Sequence, residues 1–494
     1  MLKIASCDSQ GAVFIANDAV YRLIDPKHKA AVLSVFTLLN VESLTGLIQT
    51  EICPAGKYPC AIEGANENAL ILKHRKIEYI SYPHEWCASM LKDAALFHLV
   101  LSEQLLKHGL FLKDAHPWNI LFEKGLPKFI DFTSIVSRES LFAEEYLESN
   151  KLHHADEVNT HLAAVCEEIY ARMYFPYFVN PLGAYAFGKR SKVRKLIENT
   201  TLNSSTSTIS IRDCIPEIRP RLSVFNKLMG LWKLRSKMRK LTRLLSERKS
   251  IHDFYQGMRE GVEALDVAAG DSNYSAYYQL KGEDHDWVYS EEWNDKQKSV
   301  YSTLNLEEIR TVLDVACNTG WFAVMAEKLH KRVVAFDIDE ACIESLYGKV
   351  KREQLNILPL VMNFTELTED RYSIHDGKQV LINAPERLRS DAVIALGILH
   401  HLVLGLGLSF ETVLDRLIPL CEKQLVIEFV DSNDAVIQDE PSFFPAYYQN
   451  KNLLTGYDLS SLIELCKERG FEVECQKSHP STRTILVCRK LFKS

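Results

Sequence analysis

No C-x-x-C pair occurs among the twelve cysteines of this 494-residue chain. Neither a zinc ribbon nor a dithiol redox motif is therefore signalled. Single cysteines inside apolar segments, such as Cys166, Cys342 and Cys466, read as buried thiols in a reducing compartment. Long apolar runs are also missing: none approaches the roughly 18 residues a membrane-crossing helix needs. The start, Met1-Leu-Lys-Ile-Ala-Ser-Cys-Asp8, lacks the apolar core of a signal peptide. The expectation is a cytoplasmic protein with no transmembrane segment. An excess of positive charge is absent too. With 58 Lys and Arg against 65 Asp and Glu, the formal net charge is −7, so nothing global marks a nucleic-acid binder. What is present is ordinary globular composition, 47% hydrophobic and 25% charged, in a chain too long for one core. Two to three domains follow.

Three regions separate by pattern. Residues 1–145 mix short β-like runs with one clear helix. Residues 146–254 read as a helical connector, with a Ser/Thr-rich exposed loop at 200–211. The last domain is expected over residues 255–494, and within it residues 300–494 alternate strand and helix signals, which argues for a parallel α/β sheet. Within 227–249 a dense set of Lys and Arg accompanies Leu228, Leu231, Trp232, Leu234, Met238, Leu241 and Leu244, spaced for one apolar helix face. A phosphate, RNA or membrane-surface contact is one reading. A linker helix with a solvated basic face is the other, and the one that a single helix favours.

The densest chemistry lies at Val312-Leu-Asp-Val-Ala-Cys-Asn-Thr-Gly320. Val312, Leu313 and Val315 form the short apolar run of a buried parallel strand, which ends at a turn of small residues. Trp321, Phe322, Val324, Met325 and Leu329 then follow helical spacing. Strand, tight turn and helix make a nucleotide-type cofactor site, where the backbone must approach the ligand closely. A second apolar strand, Arg332–Asp337, ends in an acid 23 residues after Asp314. A carboxylate there can accept hydrogen bonds from both ribose hydroxyls. The spacing of a dinucleotide G-x-G-x-x-G is missing.

The segment resembles motif I of class I S-adenosylmethionine-dependent methyltransferases, normally Asp-x-Gly-x-Gly-x-Gly. Asp314 and Gly320 match; Ala316 and Asn318 replace two glycines. The resemblance implies a Rossmann-like seven-stranded sheet and a cofactor held by Asp314, Ala316, Cys317, Asn318, Gly320, Asp337, Ile338, Asn363, Phe364 and Ala395. Leu358–Asn363 reads as strand three, with Asn363 and Phe364 beside the adenine. Asp391–Leu396 reads as strand four, with Ala395 near its end, and Gln424–Phe429 as strand five. Phe471–Val473 and Thr484–Val487 would supply an antiparallel final pair. If the acceptor is a hydroxyl, a base helps, and His401 and Glu428, at carboxyl ends of strands, are the catalytic candidates.

A second motif precedes it. Asp114 and Asn119 are five apart, and Asp131 follows Asn119 by twelve after an apolar β-run. The helix Met90–Lys107 lies upstream and stops at Gly109. The pattern resembles kinase-fold phosphotransferases. That implies an α+β kinase-like domain with Asp114 as catalytic acceptor of a proton, Asn119 and Asp131 as magnesium ligands, and ATP as a second cofactor. Arg22 is the candidate for a phosphate-contacting cation. Departures are clear: Leu112 and Lys113 stand for the usual His-Arg, Thr133 replaces the glycine of Asp-Phe-Gly, and no glycine-rich loop is visible.

Nearly the whole chain is also similar to a family of bacterial proteins related to the nodulation protein NoeA. The residues that carry this are Ile80–Trp86, Met90–Ala95, Leu112–Ala115, Pro127–Asp131, Leu399–Leu402 and Ile427–Val430. It implies a methyltransferase and leaves the substrate open. The expected function is therefore S-adenosylmethionine-dependent methylation, as O-methylation, of a small-molecule or saccharide acceptor. The alternatives are a bifunctional kinase–methyltransferase acting on a glycan, an RNA methyltransferase, and a non-catalytic two-domain regulator. Oligomeric state is left open.

Overall fold

A computed structural model describes residues 2–4, 11–16, 18–39, 44–54, 57–58, 62–66, 68–141, 162–186, 190, 193–194, 197, 230, 233, 247–270, 272, 274–275, 287–367, 374–375, 378–379, 382–439 and 444–491. The Ser/Thr-rich loop at 200–211 and nearly all of the basic stretch 227–249 lie outside the described residues. The chain divides into two compact units. The N-terminal unit comprises Met1–Phe122, Leu126–Ala268 and Arg371–Leu381; the C-terminal unit comprises Glu123–Gly125, Ala269–Asp370 and Ile382–Ser494. The helix Glu247–Glu263 thus belongs with the N-terminal unit, whereas the sequence reading begins its last domain at residue 255.

The N-terminal unit opens with a five-stranded antiparallel sheet. Its strands are β1 (Leu2–Ile4), β2 (Gly11–Ile15), β3 (Ala19–Ile24), β4 (Thr50–Cys53) and β5 (Leu70–Arg75), in the order β1-β2-β3-β5-β4. Alternation places Phe14, Ala19, Tyr21, Cys53 and Ile71 on one core-facing side. A 3-10 turn, Pro26–His28, and the helix Lys29–Leu38 lie between β3 and β4. The helix Ala88–Lys107 follows, its apolar residues so frequent that eleven of its side chains are buried. It ends at Gly109, whose φ of +71° reverses the chain, as glycine does after a helix end. Lys92 from this helix donates to the carbonyls of Glu263 and Leu265 at 2.9 and 2.7 Å, capping the end of the helix Glu247–Glu263. Short ribbons complete the unit: β6 (Leu110–Leu112) pairs with β9 (Ile135–Ser137), β7 (Ile120–Glu123) with β8 (Leu126–Phe129), and β13 (Ile374–His375) with β14 (Lys378–Gln379).

The C-terminal unit is built on one seven-stranded sheet. Its strands are β10 (Thr311–Val315), β11 (Arg332–Asp337), β12 (Ile357–Val361), β15 (Ser390–Ala395), β16 (Cys421–Val430), β17 (Phe471–Lys477) and β18 (Arg483–Lys490). The order is β12-β11-β10-β15-β16-β18-β17. The first five run parallel, and β18 is antiparallel to both neighbours. Every residue of β12 and β15 is buried, as strands covered on both faces require. The strand order reverses between β10 and β15. In open α/β sheets that reversal leaves a crevice at the carboxyl ends of the two strands, where ligands bind.

Candidate active site

The turn after β10 keeps the backbone that its missing glycines would favour. Ala316, Asn318 and Gly320 all have positive φ, at 56°, 53° and 79°. Asparagine tolerates this region; alanine enters it at a cost of about 1–2 kcal/mol. At Gly320 a Cβ would meet the Leu346 side chain at 2.6 Å, so a larger residue would have to displace that side chain and also bear the strain of a φ of 79°. Hydrogen bonds fix the turn to the next strand. Cys317 N donates to Phe336 O at 3.0 Å, and Asn318 N donates to Asp337 Oδ2 at 2.8 Å. Asp339 N donates to Asp337 Oδ1 at 2.9 Å. The Asn318 side chain holds the carbonyl of Tyr274 at 3.1 Å. Asp337 thus stands at the end of β11 with both oxygens oriented, and burial raises its pKa above the usual carboxylate value.

The remaining donor-site candidates spread around this turn. Asp314 is 3% exposed, and its Oδ2 has no hydrogen-bond partner among the described residues. Burial, then the neighbouring Asp337, pushes its pKa up to about 8. Ile338, directly after Asp337, is 67% exposed, an apolar side chain left open beside the turn. Asn363 caps the turn Phe364–Glu366 through Thr365 at 3.0 Å. Phe364 is only 5% exposed and belongs to the core, so the open apolar surface here is that of Ile338 and not the phenyl ring. Ala395 ends β15, level with Val315 of β10. Cys317 is buried, and burial holds its thiol protonated.

Across the strand reversal, β15 leads into a short helix that begins at His401. His401 stacks on Phe444 with centroids 5.4 Å apart and lies 4.3 Å from the ring of His400. Burial, then Arg483, lowers the pKa of His401, so the imidazole is neutral at pH 7 and able to accept a proton. Glu428 is different. It is 0% exposed, its Oε2 takes Lys296 Nζ at 2.8 Å and its Oε1 takes the Ser478 hydroxyl at 2.7 Å. Lys296, Arg483 and Ser478 overcome burial and hold this carboxylate ionised. It anchors Lys296 and does not stand free as a base, a correction to its reading as a catalytic candidate. Lys296 and Ser478 escaped the sequence reading because their partner lies 132 and 50 residues away. A cavity of about 480 Å³ is lined by Val403, Phe410, Glu411, Tyr457 and Glu464 and includes none of the donor-site residues.

In the N-terminal unit, Asp114, Asn119 and Asp131 converge on one hydroxyl. Ser134 Oγ lies 2.6 Å from Asp114 Oδ2, 3.0 Å from Asn119 Nδ2 and 3.1 Å from Asp131 Oδ2. Arg22, on β3, pairs with Asp131 Oδ1 at 2.9 Å and donates to Thr133 Oγ1. Thr133 also donates to Asp131 from its amide and its hydroxyl. Burial works against the Asp131 carboxylate, but Arg22 and the Thr133 hydroxyl hold its pKa at about 2. Behind the loop, buried His98 contacts Asp114 O at 3.2 Å through Nε2 and Tyr170 through Nδ1. With both Asp131 oxygens engaged, the arrangement does not fit a divalent cation held by Asn119 and Asp131. No grouping of three or more His, Cys, Asp or Glu suited to a metal occurs among the described residues. The Asp-Phe-Thr-Ser run carries the available signal: two hydroxyl residues, Thr133 and Ser134, follow the acid where Asp-Phe-Gly has a glycine.

A family model described as a methyltransferase domain matches residues 265–476. The sheet order and the turn after β10 define the same class: the C-terminal unit is a class I methyltransferase domain. The chain is related to the nodulation protein NoeA of Rhizobium meliloti (strain 1021), with 24% identity over 384 residues, 75% of this chain and 72% of that protein. A stretch of 54 residues, 11% of this chain and 20% of the relative, is 44% identical to the ribosomal protein L11 methyltransferase of Thermotoga maritima. Among solved structures, magnesium protoporphyrin IX methyltransferase (ChlM) from Synechocystis PCC 6803 with bound SAH is 15% identical over 44% of this chain and 98% of that one, at a TM-score of 0.28. No helix among the described residues is long and apolar enough to cross a membrane.

Proposed function

We propose that this methyltransferase binds S-adenosylmethionine at the turn after β10 and transfers its methyl group to a hydroxyl of a small-molecule or saccharide acceptor. One observation carries the donor half: three consecutive alternate positions, Ala316, Asn318 and Gly320, hold left-handed backbone although two of them are not glycine. A fold that keeps this geometry against the cost of a Cβ has a use for it. In this reading Ile338 packs on the adenine, Asp337 accepts from the ribose, and His401 takes the acceptor proton while methyl passes in line from the sulfonium. Calorimetric titration with S-adenosylmethionine tests it. Micromolar binding that weakens at least tenfold in Asp337→Ala is expected. No binding at millimolar cofactor by folded protein would sink it.

The N-terminal unit supports a second reading, a kinase-like fold. Its strand order β1-β2-β3-β5-β4, the helix Lys29–Leu38 between β3 and β4, and the Arg22–Asp131 pair at the Asp114 loop favour it. Phosphotransfer from ATP with magnesium would require that pair to open. Equal ATP turnover in wild type and Asp131→Ala would end the bifunctional version.

A further inference from the structure

Ionisable side chains gather near the carboxyl ends of β10, β11 and β16: Asp314, Asp337, Lys296 and Glu428, with Arg483 also acting on Glu428. Lys296 is committed to Glu428 at 2.8 Å. Asp337 is served by two backbone amides, from Asn318 and Asp339. Asp314 accepts from the Ala323 backbone amide, which leaves its other oxygen over. The charged and titratable groups that face it are Asp337 from β11, Lys296 from the helix Asp295–Leu304 and Cys317 from its own turn. Its Oδ2 is buried with no hydrogen-bond partner among the described residues, at the head of the donor turn. An ionised carboxylate cannot be left so in a low-dielectric site; it must carry a proton or meet a cation.

We propose that Asp314 makes the donor site selective for positively charged ligands, by giving up its proton when a ligand's cationic group arrives and regaining it when that group leaves. This rests on the donor-site reading above. The balance is simple. The carboxyl O–H bond breaks, the proton passes to solvent, and the carboxylate faces the ligand's positive charge. S-adenosylmethionine offers two such groups, a sulfonium and an ammonium. After transfer the product keeps only the ammonium. If the sulfonium is the partner, product release is coupled to reprotonation of Asp314, and the turn favours substrate over product.

Calorimetric titrations at pH 7 in phosphate and in Tris, whose ionisation enthalpies differ, count the protons released. S-adenosylmethionine should release close to one proton from wild type, and 5′-methylthioadenosine, which has neither cation, none. S-adenosylhomocysteine separates the sources: release with it assigns the ammonium, and none assigns the sulfonium. Asp314→Asn should bind S-adenosylmethionine with no release. Should that variant not fold, wild-type affinity still decides, since it should strengthen up to about tenfold per pH unit between pH 6 and 8. Binding with no proton release, or affinity flat across that range, overturns the proposal while leaving the donor site intact. No binding at all overturns the donor site and this proposal together.

Discussion

Lys296 and Glu428 meet at 2.8 Å, the carboxylate wholly buried at the end of β16 and the ammonium reaching it from the helix that precedes β10. Ser478 closes the other carboxylate oxygen. Such a pair ties the helix to the sheet beside the strand reversal. Removing one partner strands a buried charge. Glu428→Ala should therefore cost about 3–5 kcal/mol of unfolding free energy. The double variant Lys296→Met/Glu428→Gln should cost less than the sum of its single changes, with a coupling of about 1–3 kcal/mol in denaturant titrations. Additive losses would show that the pair contributes nothing beyond packing.

Ala316 makes the opposite prediction, a substitution that helps. Its φ of 56° costs about 1–2 kcal/mol for a residue with a Cβ, and glycine returns part of this through unfolded-state entropy, about 0.5–1 kcal/mol. Ala316→Gly should raise stability by up to about 1 kcal/mol and leave donor affinity unchanged or tighter. Ala316→Val, β-branched, should lower it. Gly320→Ala should be the most damaging of the three, because its Cβ would enter the Leu346 side chain. Thermal unfolding of the three variants orders them.

These two cases mark what the chain discloses as a string and what it conceals. β10, β11, β12, β15 and β16 were legible because parallel strands covered on both faces are written as contiguous apolar runs, and Asp337 because it ends one of them. The left-handed backbone at Ala316 was not legible, since a substituted glycine erases the signal that announces positive φ. The burial of Phe364 was not legible either: aromatic residues beside a site and in a core look alike in a sequence. Lys296, Ser478 and Ser134 were silent because each acts on a partner supplied by another element. Only the fold brings Ser134 between Asp114, Asn119 and Asp131.

His401 is expected to matter for turnover and not for donor binding. Its imidazole, lowered by burial and by Arg483, stays neutral at pH 7, so the acid limb of a kcat profile should fall below pH 6.5. The sign follows from the depressed pKa: protonation, and with it loss of the base, is delayed to lower pH. His401→Ala should reduce kcat by about 10²–10⁴-fold with hydroxyl acceptors and leave the S-adenosylmethionine Kd within about twofold. An equal fall in donor affinity would make the residue part of the cofactor wall, stacked on Phe444, and not a base.

The Arg22–Asp131 pair gives a prediction that separates structure from catalysis in the N-terminal unit. Asp131 titrates near 2 in the folded chain because Arg22 and Thr133 outweigh its burial. A carboxylate depressed in this way contributes stability that is fully present above its unfolded pKa, near 3.8, and is lost only as pH falls through about 2. Wild type should keep this contribution down to mildly acidic conditions. Arg22→Ala leaves the buried carboxylate uncompensated and should cost about 3–5 kcal/mol at pH 7. The deficit should shrink as pH is lowered toward 4, because the stranded carboxyl can then take up a proton. Asp131→Asn should cost less at pH 7, and combined with Arg22→Ala it should remove the pH dependence of the deficit. Denaturant titrations at pH 7, 5.5 and 4 measure all three. A deficit in Arg22→Ala that does not change with pH would mean that Arg22 stabilises the unit through its aliphatic stem and its bond to Thr133, and that the ion pair is incidental.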